Sequence, residues 1–261
     1  MSSFVCDLLT GVVKLIPSGK EVFHEEDEYG EIIVSEYRDY RMLRFDAFYE
    51  QSKMNLYHPN MPVHHYVRAM LMAITWRRCG PVLLLGLGGG CLLRALYTYA
   101  PSMQVDVVEL RPRVLDVARR YFSLPSSGNI SYYCEDALDY LRRDIGIRYS
   151  MIFSDLYSAM AMDPLQGSEA FLWMCRNALS EDGWLVLNYL DMPGADSTLY
   201  HALYQVFSDV FFCPVPSGNV VIYARVSPGK CSPEALTAQA AQICNNMFGE
   251  VKHLSGRLER L

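Results

Sequence analysis

Pro81-Val82-Leu83-Leu84-Leu85-Gly86-Leu87-Gly88-Gly89-Gly90-Cys91-Leu92-Leu93-Arg94 runs from a strand through a glycine turn into a helix. Its consecutive aliphatics at 82–85 suit a strand buried on both faces, as in a parallel sheet. Gly86, Gly88, Gly89 and Gly90 let the backbone turn sharply and approach a ligand without Cβ interference. Leu92, Leu93, Leu96 and Tyr97 then fall on one helical face. A strand, a glycine turn and a helix N-terminus together present free N–H groups to a nucleotide or nucleoside.

The flanking segments strengthen that reading. Val105-Asp106-Val107-Val108-Glu109-Leu110 is a second strand, and Glu109 follows the turn by about 20 residues, where a carboxylate can take both ribose hydroxyls. Ile130 to Cys134 is a third strand, running into Glu135-Asp136, and Tyr149 to Ser154 is a fourth, ending at Asp155. Taken singly, each acid reads as a helix cap or a solvated strand end. Three in register behind a glycine turn point instead to a ligand edge.

Bulk properties set the class. The chain has 261 residues and is 51% hydrophobic, enough for one large α/β domain with a small accessory region. Its eight cysteines, at 6, 79, 91, 134, 175, 213, 231 and 244, show no C-x-x-C spacing. They read as reduced thiols rather than zinc ligands or a disulfide framework. A net charge of −6 and isolated pairs such as Arg119-Arg120 and Arg142-Arg143 argue against a nucleic-acid partner. Val5 to Ile16 is interrupted by Asp7 and Lys14 and is too short to span a bilayer. It also lacks a basic leader with a cleavage site, so a soluble, cytoplasmic protein with no membrane partner is expected.

Three regions are expected along the chain. Residues 1–62 form a β-rich N-terminal region of short hairpins, with Glu25–Glu28 as a solvated acidic turn and Tyr49-Glu50-Gln51-Ser52 opening a loop. Residues 63–227 form a Rossmann-like domain that carries the ligand edge. It opens with a helix from His64 to Ala73; the adjacent His64 and His65 cannot share one helix face, so they make a poor metal pair. Helices follow at 111–122, 137–143, 169–179 and 199–210. Leu156 to Gly167, rich in small residues and methionines, reads as a loop able to close over the site. A strand at 184–189 enters through the Glu181-Asp182-Gly183 turn, and a late strand at 220–226 reads as an antiparallel addition at one sheet edge. Residues 228–261 form a C-terminal helical appendage.

With these residues in place, the chain resembles the spermidine synthase (polyamine aminopropyltransferase) family, within the S-adenosylmethionine-dependent methyltransferase-like superfamily, over residues 20 to 226. The resemblance implies an α/β, Rossmann-like seven-stranded methyltransferase-type sheet, mostly parallel with an antiparallel edge, behind the small N-terminal β region. It implies that Gly86, Gly88, Gly89 and Gly90 line the donor nucleoside, that Glu109 holds its ribose and that Asp136 reaches the adenine. Gln51 and Tyr66 resemble the family's donor-site glutamine and pre-domain tyrosine. Asp155 matches the first acid of the family's D-S-S-D-P motif, which orients and deprotonates the attacking amine. The donor is then S-adenosylmethionine or its decarboxylated form, with methylthioadenosine as leaving product, without covalently bound cofactor or metal. The partner is a small amine or other nucleophilic acceptor, and the assembly is a homodimer or higher homo-oligomer.

The chain also departs from that pattern. The family glycine motif G-G-G-D-G-G has an acid where this chain has Gly89, and the second acid of D-S-S-D-P falls on Ser158. Asp163-Pro164 comes five positions late, and Val215 replaces a common tyrosine. A carboxylate at position 89 would attract an aminopropyl ammonium and repel the carboxylate of intact S-adenosylmethionine. Losing it removes about 1.5–3 kcal/mol of preference for the decarboxylated donor. A methyltransferase using intact S-adenosylmethionine and a catalytically degenerate nucleoside-binding relative are the alternatives. NAD also fits a strand–glycine–helix–acid order, but Asp136, Asp155 and the late strand favour an adenosyl donor.

Overall fold

The computed structural model of the chain describes residues 4–6, 13–15, 19–46, 50–76, 79–144, 146–157, 162–229, 231–244 and 251–261. The helices are α1 (His65–Met72), α2 (Cys91–Tyr99), α3 (Pro112–Tyr121), α4 (Ala137–Arg142), α5 (Glu169–Ala178), α6 (Thr198–Val206), α7 (Pro233–Cys244) and α8 (Val251–Ser255). No helix among the described residues is long and apolar enough to cross a membrane. Phe4–Cys6 (β1) and Val13–Leu15 (β2) pair as an antiparallel ribbon.

A four-stranded antiparallel sheet follows, in the order β3 (Lys20–Asp27), β4 (Gly30–Tyr37), β5 (Tyr40–Arg44) and β6 (Glu50–Asn55). Its inner face buries Ile32, Val34, Leu43 and Met54 against Val114 and Val117 of α3 and against Phe122. Pro112 begins α3, where its missing N–H and fixed φ are tolerated. Two expectations are corrected here. The acidic run is only in part a solvated turn: Glu28 is in the turn, but β3 continues to Asp27, whose carboxylate takes Arg111 Nη2 at 2.7 Å and Nε at 3.1 Å. Residues 50–55 are a strand rather than a loop, since β6 pairs with β5 through Leu43 opposite Ser52.

The central sheet has eight strands in the order β14-β12-β13-β11-β10-β7-β8-β9. Strands β7 (Val82–Leu85), β8 (Val105–Glu109), β9 (Ile130–Cys134), β10 (Tyr149–Ser154) and β11 (Leu179–Tyr189) are mutually parallel. Alternate residues of these buried strands feed two cores. Leu84, Val107, Phe153 and Val186 pack with Met70 of α1 and Leu93 of α2. Leu83, Leu85, Ile152 and Leu187 pack with Phe171 of α5 and Leu203 of α6 on the other side. Each fully buried aliphatic side chain in these layers contributes about 1.5–3 kcal/mol.

The methyltransferase-type α/β architecture is therefore present, with differences at one end. The late strand β13 (Val220–Arg225) is antiparallel to β11, but it is internal to the sheet. It lies between β11 and β12 (Asp209–Pro214), which pairs antiparallel with it. The helix expected to reach Val210 ends at Val206, where Phe207 turns to extended backbone and feeds β12. The Glu181-Asp182-Gly183 turn survives as a bulge within β11, whose register against β10 jumps from Leu179 to Trp184. The C-terminal segment is not wholly helical. β14 (Glu259–Arg260) pairs with β12 as the eighth strand, while Leu254 and Leu258 join the core beneath α1.

Candidate active site

The parallel strands end together along one edge, and the site is built there. Gly86 N–H donates to Val108 O (2.9 Å), Asp155 N–H to Leu85 O (2.9 Å) and Glu135 N–H to Glu109 O (3.1 Å). These bonds carry the ladder one residue beyond the strands and align the glycine turn with the three acids. Gly86 has φ +89°, and a Cβ there would stand 2.4 Å from Asp155 O, so the turn and the acid are in direct backbone contact. Gly90 caps α2 in the left-handed region, at φ 69°.

Glu109 faces the turn. Its Oε2 accepts the Leu87 N–H at 3.0 Å and its Oε1 accepts the Arg111 N–H at 3.0 Å, and Gly88 N–H also bonds it. Burial raises its carboxyl above the ordinary value, opposed by those three amides and by the Arg111 charge. A carboxylate beside a turn that admits no Cβ suits a sugar bearing vicinal hydroxyls. The residues at 86–90 and 109 thus fit an adenosyl donor.

Asp155 sits at the end of β10 beside a small crevice that is also lined by Tyr66, Ser52, Gly86 and Cys91. Asn188 Nδ2 donates to Asp155 Oδ1 at 2.7 Å, and the Tyr66 hydroxyl donates to the same carboxylate. Burial raises the Asp155 carboxyl, and these two donors pull it back down. Burial, Asp155, Cys91 and Tyr157 together push the Tyr66 phenol well above its usual range. Tyr66 can therefore donate a hydrogen bond but not act as a base. Asn219 Nδ2 donates to Asn188 Oδ1 at 3.1 Å, fixing the orientation of the Asn188 amide. The arrangement can position a nucleophile and accept its proton.

The remaining candidates are distributed as follows. Asp136 caps α4, its Oδ1 accepting from Leu138 N–H (2.8 Å) and Asp139 N–H (3.2 Å). Gln51 lies on β6 next to Ser52, and strand alternation turns it to the opposite face. Ser52 Oγ accepts the Gly89 N–H at 2.9 Å, so Ser52 meets the turn from the N-terminal sheet. Position 158 and residues 159–161 lie outside the described residues. Around them, Tyr157 bridges Met162, and Asp163 Oδ1 caps a 3₁₀ turn at Leu165 N–H (2.9 Å). Buried Gln166 ties that turn to the strand end through Ser154 Oγ (2.6 Å) and Leu156 O (3.0 Å).

Sequence reasoning missed Ser52, Asn188 and Asn219. Asn188 carries a usable signal, a lone amide at the end of the apolar run Trp184 to Leu187 on a strand adjacent to that of Asp155. Ser52 carries none, because its meaning depends on how two sheets dock.

No family model matches the chain. It is 30% identical to a polyamine aminopropyltransferase of Neisseria meningitidis serogroup A over 230 residues, 83% of this chain and 84% of that protein. Among solved structures, a spermidine synthase in complex with the transition-state analogue AdoDATO superposes with a TM-score of 0.67 at 16% identity, covering 98% of this chain and 94% of that one. Human methyltransferase-like protein 13 in complex with SAH superposes with a TM-score of 0.61 at 20% identity, covering 70% and 92%.

Proposed function

The chain belongs to the polyamine aminopropyltransferase family, and from that membership we propose that it moves an aminopropyl-type group from an adenosyl sulfonium donor to an amine. The donor's adenosyl part lies over residues 86–90 with its ribose on Glu109. The acceptor enters the crevice beside Asp155. As its nitrogen bonds to the propyl carbon, the carbon–sulfur bond breaks, methylthioadenosine departs and the nitrogen's proton passes to Asp155. Tyr66 and Asn188 hold the carboxylate in place through that transfer. Positioning and proton removal are the protein's contribution, and the sulfonium supplies the leaving group.

The observation that carries this reading is the Asp155 carboxylate, gripped by Tyr66 and Asn188 and in backbone contact with the glycine turn. Incubation with decarboxylated S-adenosylmethionine and a panel of di- and monoamines is expected to release methylthioadenosine. Asp155→Asn is expected to stop the release while leaving donor binding in place. No release with any amine would overturn the proposal.

Gly89 favours a second reading, methyl transfer from intact S-adenosylmethionine, because position 89 carries no acid to repel the donor carboxylate. Release of S-adenosylhomocysteine in place of methylthioadenosine would identify that reaction.

A further inference from the structure

The glycine turn is closed from outside by a side chain of the other sheet. Ser52 is only 7% exposed, accepts the Gly89 N–H at 2.9 Å and lines the crevice that Tyr66 and Asp155 also line. A Cβ at Gly89 would stand 2.8 Å from Ser52 Cβ and 3.2 Å from Phe122 Cδ1, and one at Gly88 would stand 2.9 Å from Ser52 Oγ. The space beside the second half of the turn therefore belongs to Ser52.

Behind the turn lies a buried cation. Arg94 is 2% exposed, and its guanidinium donates to three backbone carbonyls: Pro59 O at 2.9 Å, Gly89 O at 2.5 Å and Phe122 O at 2.6 Å. None of these partners carries a full negative charge.

Resting on the donor assignment above, we propose that Ser52 is the specificity-determining residue for the tail of the adenosyl donor. Its Oγ accepts the Gly89 N–H, its own O–H can donate to a ligand, and the group is neutral at every working pH. A neutral hydroxyl at that wall does not repel a tail carboxylate and gives no ion pair to a tail ammonium. The site thus takes the sulfonium donor with or without a carboxylate, and the transferred chain is an aminopropyl group or its carboxylated counterpart. In either case the acceptor nitrogen forms one bond to carbon, the carbon–sulfur bond breaks, methylthioadenosine leaves and Asp155 receives the proton.

Calorimetric titration of the full chain with S-adenosylmethionine, its decarboxylated form and methylthioadenosine tests this. The wild type is expected to bind the two donors within about tenfold of each other. Ser52→Asp places a carboxylate on the same wall and is expected to shift the ratio by at least about tenfold toward the decarboxylated donor. Methylthioadenosine has no tail, and its affinity is expected to stay within about threefold in that variant. Should Ser52→Asp melt early, the double variant Ser52→Gly/Gly89→Asp puts the carboxylate into the same space from the turn, and the same shift is expected. A wild-type preference above about a hundredfold, a ratio unmoved in both variants, or a parallel loss of all three ligands would overturn the role of Ser52. Failure of the wild type to bind any of the three would instead overturn the donor assignment itself.

Discussion

Asn188 Nδ2 lies 2.7 Å from Asp155 Oδ1, joining the ends of two neighbouring parallel strands by one charge-assisted hydrogen bond. The bond holds the proposed base in a single orientation and lowers its proton affinity against the opposing effect of burial.

Asn188→Leu is expected to lower kcat about 10- to 100-fold, because the base loses its orientation. Asn188 favours the charged form of Asp155, so its removal raises that pKa further. The acid limb of the kcat/KM profile should therefore move to higher pH than in the wild type. Methylthioadenosine release followed from pH 4 to 9 gives the comparison, and an unmoved acid limb would contradict the assignment of Asp155 as base.

Tyr66→Phe removes the other donor to that carboxylate and should move the acid limb in the same direction. Both side chains bond one group, so their effects should be non-additive. A double-mutant cycle with Asn188→Leu on log kcat/KM is expected to return a coupling of about 0.5–3 kcal/mol.

Gly86→Ala would place a methyl group 2.4 Å from Asp155 O, at a backbone φ of +89°. The strained backbone alone costs on the order of 1–3 kcal/mol, and relief of the contact must displace Asp155. Loss of turnover should exceed loss of stability, which activity assays and denaturant melts of one preparation will separate.

Asp27→Asn tests how the two sheets dock. Burial opposes ionisation of Asp27, but bonds from Arg111 and the Tyr29 amide, with the Arg111 and Arg113 charges, hold its carboxyl below the ordinary value. A depressed folded pKa gives stability that is fully present above the unfolded value near ~4 and is lost as pH falls through the folded value. The variant should lose about 1.5–3 kcal/mol at pH 7, and the gap should close below about pH 4. Urea melts at pH 3 to 7 measure both.

The parts of the molecule that announced themselves in sequence do so by local rules. Val82 to Leu85 is apolar on both faces, and Gly86 and Gly90 occupy conformations that require glycine. Glu109 and Asp155 close the two strands that flank β7 in one parallel sheet, so strand ends alone place them on either side of the glycine turn. What stayed hidden was made by docking. Residues 50–55 look polar because only Ser52 and Met54 face inward, and Ser52 matters only once the small sheet rests on α3. Asp27 resembles any solvated acid until Arg111 comes to it from across the interface. The sequence pattern carries α6 on to Val210, past its end at Val206, because Val206, Phe207 and Val210 are hydrophobic enough for either helix or strand.

Because Ser52 reaches the glycine turn from the small sheet, the turn loses its Gly89 contact if that sheet swings away. Thermodynamic linkage then requires reciprocity: a ligand seated on the turn must make the small sheet harder to detach, by the same free energy that the seated sheet adds to the ligand's affinity. Amide exchange across Gly30 to Arg44 should therefore slow when the donor binds.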